Sequence, residues 1–301
     1  VNVEPNFKLG VRVDGPDARY RDPSSRTALM ALLASAWPRV PAAIDLAADN
    51  GWPWDVVTEP FVVEHEGVPV AHAGVLIHPI RVAGTDCEVA GVHAVCTAPE
   101  HRRRGHARAA LQRATQWIDE RGMLAKLHTA VPEVYEPHGF RSVPVHRFRI
   151  DRAGGREHPT TSALRPEDRD ELHQRLARRV PVSDRYASRD PGWLFGIDLH
   201  LGQRDLSALR RVEALDVIVD WSIDDAGTLR INDLVADTLP SLQALCAQAP
   251  RHRAVELCFC PDRLAPDATP VPAPEEGVLM LRGDWPLSAD VPLGYSTLAE
   301  H

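Results

Sequence analysis

One stretch constrains the fold more than any other: VCTAPEHRRRGHARAAL, Val95 to Leu111. Apolar residues running up to Thr97 read as a buried strand, and Pro99 ends it. From Gly105 the pattern changes. RGHARAALQRATQWIDERG places Ala107, Ala110, Leu111, Ala114 and Ile118 on one stripe, with Arg and Gln opposite and Gly122 as the stop. A strand that turns directly into an amphipathic helix requires a sheet with that helix packed on it, so the chain is read as α/β. The turn gathers four Arg and two His around one Gly. A helix start leaves N–H groups unpaired and carries partial positive charge, so this is where a phosphate would bind. Gly105 has no Cβ to keep a ligand away from the backbone, and Ala107 is small. Arg102, Arg103 and Arg104 offer cationic donors at the rim, with His106 and Arg108 in the first helical turn. A solvated basic helix start has the same composition; the buried strand before it and the Ala-rich helix after it favour the phosphate cradle. Neither G-x-x-x-x-G-K-[ST] nor G-x-G-x-x-G occurs, so this is not one of the common nucleotide loops.

The rest of the chain supplies the sheet. SSRTALMALLASAWPRV and VPAAIDLAADNGWPW read as two helices, the first capped by Ser24 or Ser25. EPFVVEHEG, VPVAHAGVLIHPIRVAG and CEVAGVHAVCTA read as three strands, MLAKLHTAV as a fourth and RSVPVHRFRID as a closing strand. Around Ala153 to Pro159 the composition shifts to Gly, Pro and charge, which divides the chain into residues 1–152 and 153–301. The second half repeats the order in weaker form, with helices in LRPEDRDELHQRLARRV and TLPSLQALCAQA, but nothing like RRRGHA precedes its second helix.

Bulk properties exclude several classes. The 301 residues carry a net charge of −8, and the acidic whole argues against a general nucleic-acid binder. No run of about 18 apolar residues occurs, so no membrane-spanning helix is predicted. The opening VNVEPNFKLG lacks the basic start and apolar core of a signal peptide. Five scattered Cys in apolar runs read as reduced core thiols, and a cytoplasmic location is expected. No metal site is expected.

Arg102-x-x-Gly105-x-Ala107, after AGVHAVCTAPEH and before AAL, resembles the coenzyme A-binding motif of the GNAT N-acetyltransferase superfamily, and YEPHGF, Tyr135 to Phe140, resembles its second motif. The likeness spans roughly residues 20 to 150. AHAGVLIHPIRVAG, RDPGW and LRINDLVADTLPSLQALC resemble the Eis-like branch with tandem acetyltransferase domains, without its sterol-carrier-like third domain. The resemblance implies two tandem GNAT-like domains, each an α+β layer with a mixed, mostly antiparallel central sheet flanked by helices. The first would be catalytic and the second degenerate.

It further implies that the pantetheine arm of acetyl-CoA enters between two parting strands, at Val95, Cys96 and Thr97 on one side and Ala130 and Val131 on the other. Arg102 to Arg108 would hold the pyrophosphate. Tyr135 falls at the family's general acid. Some members of the family use a Glu base that aligns on Gly91 here; the next position on the same face is His93, either the base or a structural His beside the cofactor. A water chain to His72, His78, Glu64 or Glu88 is the other route. Cys96 is read as a strand residue rather than a nucleophile. Trp52, Trp54, Asp55 and Glu59 are expected to line the acceptor side or to form an ordinary packed loop. The expected partner is a small-molecule or peptide amine, with no nucleic acid and no membrane; a homo-oligomer is left open. Two alternatives stand beside the N-acetyltransferase reading: a non-catalytic acyl-CoA-binding regulatory protein, and an acetyltransferase like mycothiol synthase.

Overall fold

The structure, a computed structural model, describes residues 20, 22–273, 277–288 and 291–298; the side chains of Asp55 and Val56 and the opening decapeptide lie outside what is described. Three helices lead in: α1 (Pro23–Ala36), α2 (Val40–Asp49) and the short α3 (Trp54–Val57). The cap of α1 is Asp22, whose carboxylate accepts from Ser25 N, and not Ser24 or Ser25. Pro23 explains the shift, because its fixed φ and missing N–H suit the first helical position.

The first sheet begins with the antiparallel strands β1 (Thr58–His65), β2 (Val68–Val82) and β3 (Thr85–Thr97). The helix α4 (His106–Glu120) then crosses back to β4 (Ala125–Thr129), which pairs with β3 in parallel. Ala110, Leu111, Ala114 and Ile118 of α4 are fully buried against Ala73, Val75, Ala90, Ala125 and Leu127 of the sheet.

RSVPVHRFRID does not form one closing strand. Pro144 lacks the N–H a ladder needs, and the chain splits around it. β5 (Arg141–Val143) ends the first sheet, and β6 (His146–Ile150) crosses into a second one. The second half adds β7 (Ser162–Ala163), α5 (Arg169–Arg178), β8 (Tyr186–Ser188), α6 (Trp193–Leu201), β9 (Arg210–Val212), β10 (Val217–Ile223), β11 (Thr228–Val235), α7 (Leu242–Gln248), β12 (Ala254–Leu257), β13 (Thr269–Pro272) and β14 (Val278–Arg282). The first sheet runs β1-β2-β3-β4-β14-β5, with β8 on the far end of β2, and the second runs β13-β6-β12-β11-β10-β9-β7.

Read from opposite ends, the two orders are the same. Each sheet has antiparallel strands, one parallel pair (β3–β4, β11–β12) with a helix between its members, and then an antiparallel strand inserted before the last one. In each, the inserted strand comes from the other half. β14 lies between β4 and β5, while β6 lies between β12 and β13. The two halves are layers of the same strand order that exchange one strand each. Their cores are shared accordingly: Ile80, Val89 and Val143 pack in one cluster with Val219, Leu257 and Leu281. Among the described residues no helix is long and apolar enough to cross a membrane.

The exchanged β14 buries Leu279, Met280 and Leu281 completely, and Met280 belongs to the α4 core. Met280→Ala should therefore cost about 2–5 kcal/mol. Because both sheets depend on exchanged strands, urea unfolding followed by far-UV circular dichroism should remain one transition with a lower midpoint. A variant that loses only an early partial step would contradict the shared core.

Candidate active site

The parallel ladder between β3 and β4 has two rungs, Ala90 with Ala125 and Gly91 with Lys126. Beyond them the strands part, while β3 stays paired with β2 as far as Thr97. The cause is local. Gly74 pairs with His93 and His72 with Cys96, so Ala94 and Val95 together oppose the single Ala73. This bulge bends β3 away from β4. Ala94 pays for it with φ +49, a left-handed conformation that costs a non-glycine residue about 1–2 kcal/mol. His72 holds the strained residue. Its Nδ1 lies 2.8 Å from Ala94 O and its Nε2 2.9 Å from the Tyr20 hydroxyl. With the ring neutral, Nδ1–H donates to the carbonyl and Nε2 accepts from Tyr20. Burial drives the His72 pKa down to about 4, against the pull of that backbone hydrogen bond.

At the mouth of the gap, Pro99–His101 makes a 3-10 turn, and Arg103 (φ +62) and Gly105 (φ +82) are left-handed. Left-handed residues bring neighbouring N–H groups onto one concave side of a turn. Gly105 is the N-cap of α4 with no side chain capping it, and open space surrounds the position of its absent Cβ. Arg103, Arg104 and Arg108 are exposed and enter no ion pair among the described residues, whereas Arg102 donates through Nε to Thr97 O at 3.2 Å. His101 bridges the rings of His65 and His106, at centroid distances of 5.1 and 6.0 Å. Uncapped N–H groups, a left-handed glycine and unpaired guanidinium groups together suit a pyrophosphate.

Tyr135 is buried, edge-on to Phe140 and close to Cys96 and Thr129. Burial holds its phenol above the ordinary range, against a hydrogen bond shared with the Thr129 hydroxyl. It is therefore protonated at neutral pH. The Cys96 thiol is pushed by burial up to about 12, which leaves it no thiolate character. Val95 and Thr97 are half-buried along the gap edge of β3. His93 lies on the face away from α4, with its ring laid over Gly74, where a Cβ would come within 2.4 Å of its Cε1, and 4.8 Å from Trp54 edge to face.

Trp54 thus reaches the sheet face that carries His93, but Trp52 does not. Trp52 is stacked on His173 at 4.5 Å and sits against Gly196, between the two halves. Glu59 is a half-buried β1 residue opposite Val75. His78 is bonded to Ser188 Oγ at 2.9 Å, and Glu88 lies at the opposite end of β3 from the gap. Sequence reasoning missed His128 on β4, whose ring lies 4.3 Å from that of Tyr295. Strand alternation, which puts His128 on the face of Lys126, was the available signal.

Residues 19–143 match the family described as "Acetyltransferase (GNAT) domain". This part of the chain is similar to GNAT acetyltransferase domains. The fold is similar to that of a GCN5-related N-acetyltransferase from Kribbella flavida, 18% identical with a TM-score of 0.53 over 86% of this chain and 68% of that one. It is also similar to a probable N-acyltransferase from Enterococcus faecalis V583, 14% identical with a TM-score of 0.59 over 86% of this chain and 70% of that one. Eis1 from Mycobacterium abscessus is 21% identical, with a TM-score of 0.49 over 73% and 63%. No curated protein sequence matches the chain.

The second half lacks what the GNAT domain has. Its parallel pair keeps four rungs, from Thr228–Ala254 to Ile231–Leu257, and Cys258 N then donates to Ile231 O at 3.0 Å. The N-terminus of α7 is closed by Ser241, whose hydroxyl accepts from Ala244 N at 3.2 Å. There the parallel pairing holds to the last residue of β12, and the cap takes up one N–H of the helix start.

The bulge clamp generates a pH prediction. His72 binds a proton more readily in the unfolded chain, near its ordinary 6.5, than in the fold, at about 4. Its contribution is complete above pH 6.5 and is lost as pH falls towards 4, by up to about 3 kcal/mol. His78, also lowered by burial, adds a slope of the same sign. In His72→Gln the acid limb of the urea midpoint between pH 6.5 and 4 should be shallower by that order. Parallel limbs in parent and variant would refute the assignment.

Proposed function

We propose that this protein is an acetyl-CoA-dependent N-acetyltransferase in which the GNAT domain is active and the second half is catalytically silent. The observation that carries the reading is the coincidence of two features on one strand: β3 parts from β4 after Gly91, and the same strand runs into an uncapped, arginine-rimmed helix start. The division at residues 152 and 153, modified by the exchanged strands, belongs to this reading, as do a reducing cytoplasm and the likeness to the Eis-like branch.

Val95, Cys96 and Thr97 present a backbone edge toward β4 that no strand pairs in the ladder. That edge would hold the pantetheine amides. Gly105, His106, Ala107 and Arg108 would offer N–H groups to the pyrophosphate, and Arg102, Arg103 and Arg104 their guanidinium groups. Acetyl-CoA, when bound, supplies the acetyl thioester. A backbone N–H in the gap polarises the carbonyl, as oxyanion-hole donors do. Tyr135 gives its proton to the departing sulfur, a role its protonated state allows. Cys96, with its raised pKa, forms no acyl-enzyme, so transfer is direct. The acceptor is a primary amine on a small molecule or a peptide.

Release of CoA from acetyl-CoA should depend on an added primary amine, screened over polyamines, aminoglycosides and peptides. Tyr135→Phe should lower kcat about 10²-fold with little change in KM for acetyl-CoA. Arg103→Ala and Arg104→Ala, at exposed positions, should each weaken CoA binding about 10-fold, measured by calorimetry. CoA binding without any amine-dependent turnover would instead favour a regulatory acyl-CoA-binding module.

A further inference from the structure

The proton that leaves the amine needs a receiver, and His93 is poorly placed for it. Its ring leans toward β2, seated on Gly74 and against Trp54, on the side of β3 away from the gap. The position of the family's Glu is no better. A side chain at Gly91 would meet Leu76 Cδ1 at 3.3 Å, and Lys126, fully buried, pairs beside it.

Strand alternation decides what comes next. Ala125 and Leu127 are buried in the α4 core, together with Tyr135. Lys126 and His128 therefore point to the other face, the one that carries His93. His128 is the first residue on that face after the last rung of the ladder; it is half-buried, with its Nε2 out of contact with solvent. Its ring rests on Tyr295 of the C-terminal segment, 4.3 Å between centroids and tilted by 45°. Leu298 of the same segment belongs to the cluster that also holds Trp54 and Cys96. Lys126 on its own strand and Tyr295 lie by His128, His78 on β2 feels the charges of His128, Lys126 and Arg179, Asp233 lines the cavity shared by His78 and Tyr295, and the partner of His128 on β14 is Leu279.

We propose that His128, and not His93, receives the amine proton. The proposal rests on the transferase reading above. His128 and Tyr135 then flank the end of β4 from opposite faces. The incoming ammonium loses one proton to the His128 imidazole, and the neutral nitrogen forms the C–N bond to the acetyl carbon. The C–S bond breaks with its electron pair on sulfur, and Tyr135 supplies the sulfur with a proton. The nitrogen gives up its second proton as the amide forms, and that proton returns the phenol to its acid form through solvent. His128 passes its proton to water. The sum is ammonium plus thioester giving amide, thiol and one released proton.

The test compares parent, His128→Gln and His93→Gln, each first shown to bind CoA with an unchanged dissociation constant. With an amine found in the screen, His128→Gln should lower kcat about 10²-fold at pH 7 and recover toward the parent by pH 9.5, where the amine deprotonates unaided. His93→Gln should keep the parental pH profile. A second readout needs no turnover. In the ¹H–¹³C imidazole spectrum, the resonance that disappears in His128→Gln should shift when CoA is added. A pH-independent loss, a parental rate in His128→Gln, or an unmoved resonance overturns the assignment. Failure of the parent to release CoA with any amine, despite binding CoA, overturns the transferase reading itself and the proton path with it.

Discussion

Everything at the candidate site depends on two strands that stop pairing. Parallel neighbours hydrogen-bond along their length unless something forbids it, and here the agent is one surplus residue in β3. Ala94 in a left-handed conformation would relax if the sheet let it, and the buried His72–Tyr20 pair is what prevents that. A buried hydrogen bond has a net worth of about 1 kcal/mol, comparable to the strain it opposes. The gap is therefore a stable feature of the fold, prepared before any ligand arrives. A cosubstrate that binds there does not have to break a ladder.

The second half shows what the same topology becomes without that arrangement. It has a parallel pair, a crossover helix and a bulge of its own at Asn232, yet the rungs continue to the end of the short strand and Ser241 caps the helix. Fold and site have separated. The sheet order survives in both halves, while among the described residues the uncapped, arginine-rimmed helix start belongs to the first.

Much of this was legible in the sequence because the decisive signals are local. A basic turn between a buried strand and an Ala-rich helix can be read residue by residue, and so can the weaker second copy. The strand RSVPVHRFRID was misread because Pro144 says only that a ladder breaks, not that the chain then joins a different sheet. The exchange of β6 and β14 depends on pairing between residues far apart in sequence, which no periodicity records. Trp52 looked like an acceptor-side ring, but its stacking partner His173 lies in the other half. His93 sat at the right spacing for a base, yet spacing along a strand does not reveal that Gly74 and Trp54 draw its ring aside.

The exchanged strand also bears on how the protein comes into being. During synthesis β4 and β5 emerge early, but the slot between them is filled only by residues 278–282, near the end of the described chain. Until then the nascent first sheet carries two unsatisfied edges facing each other across an apolar floor, the kind of surface that pairs with other chains. Contacts this distant in sequence form slowly. The first sheet is thus incomplete on its own, and its maturation is tied to the completion of the second half. That dependence gives the second half a structural role: it supplies the strand on which the first sheet closes.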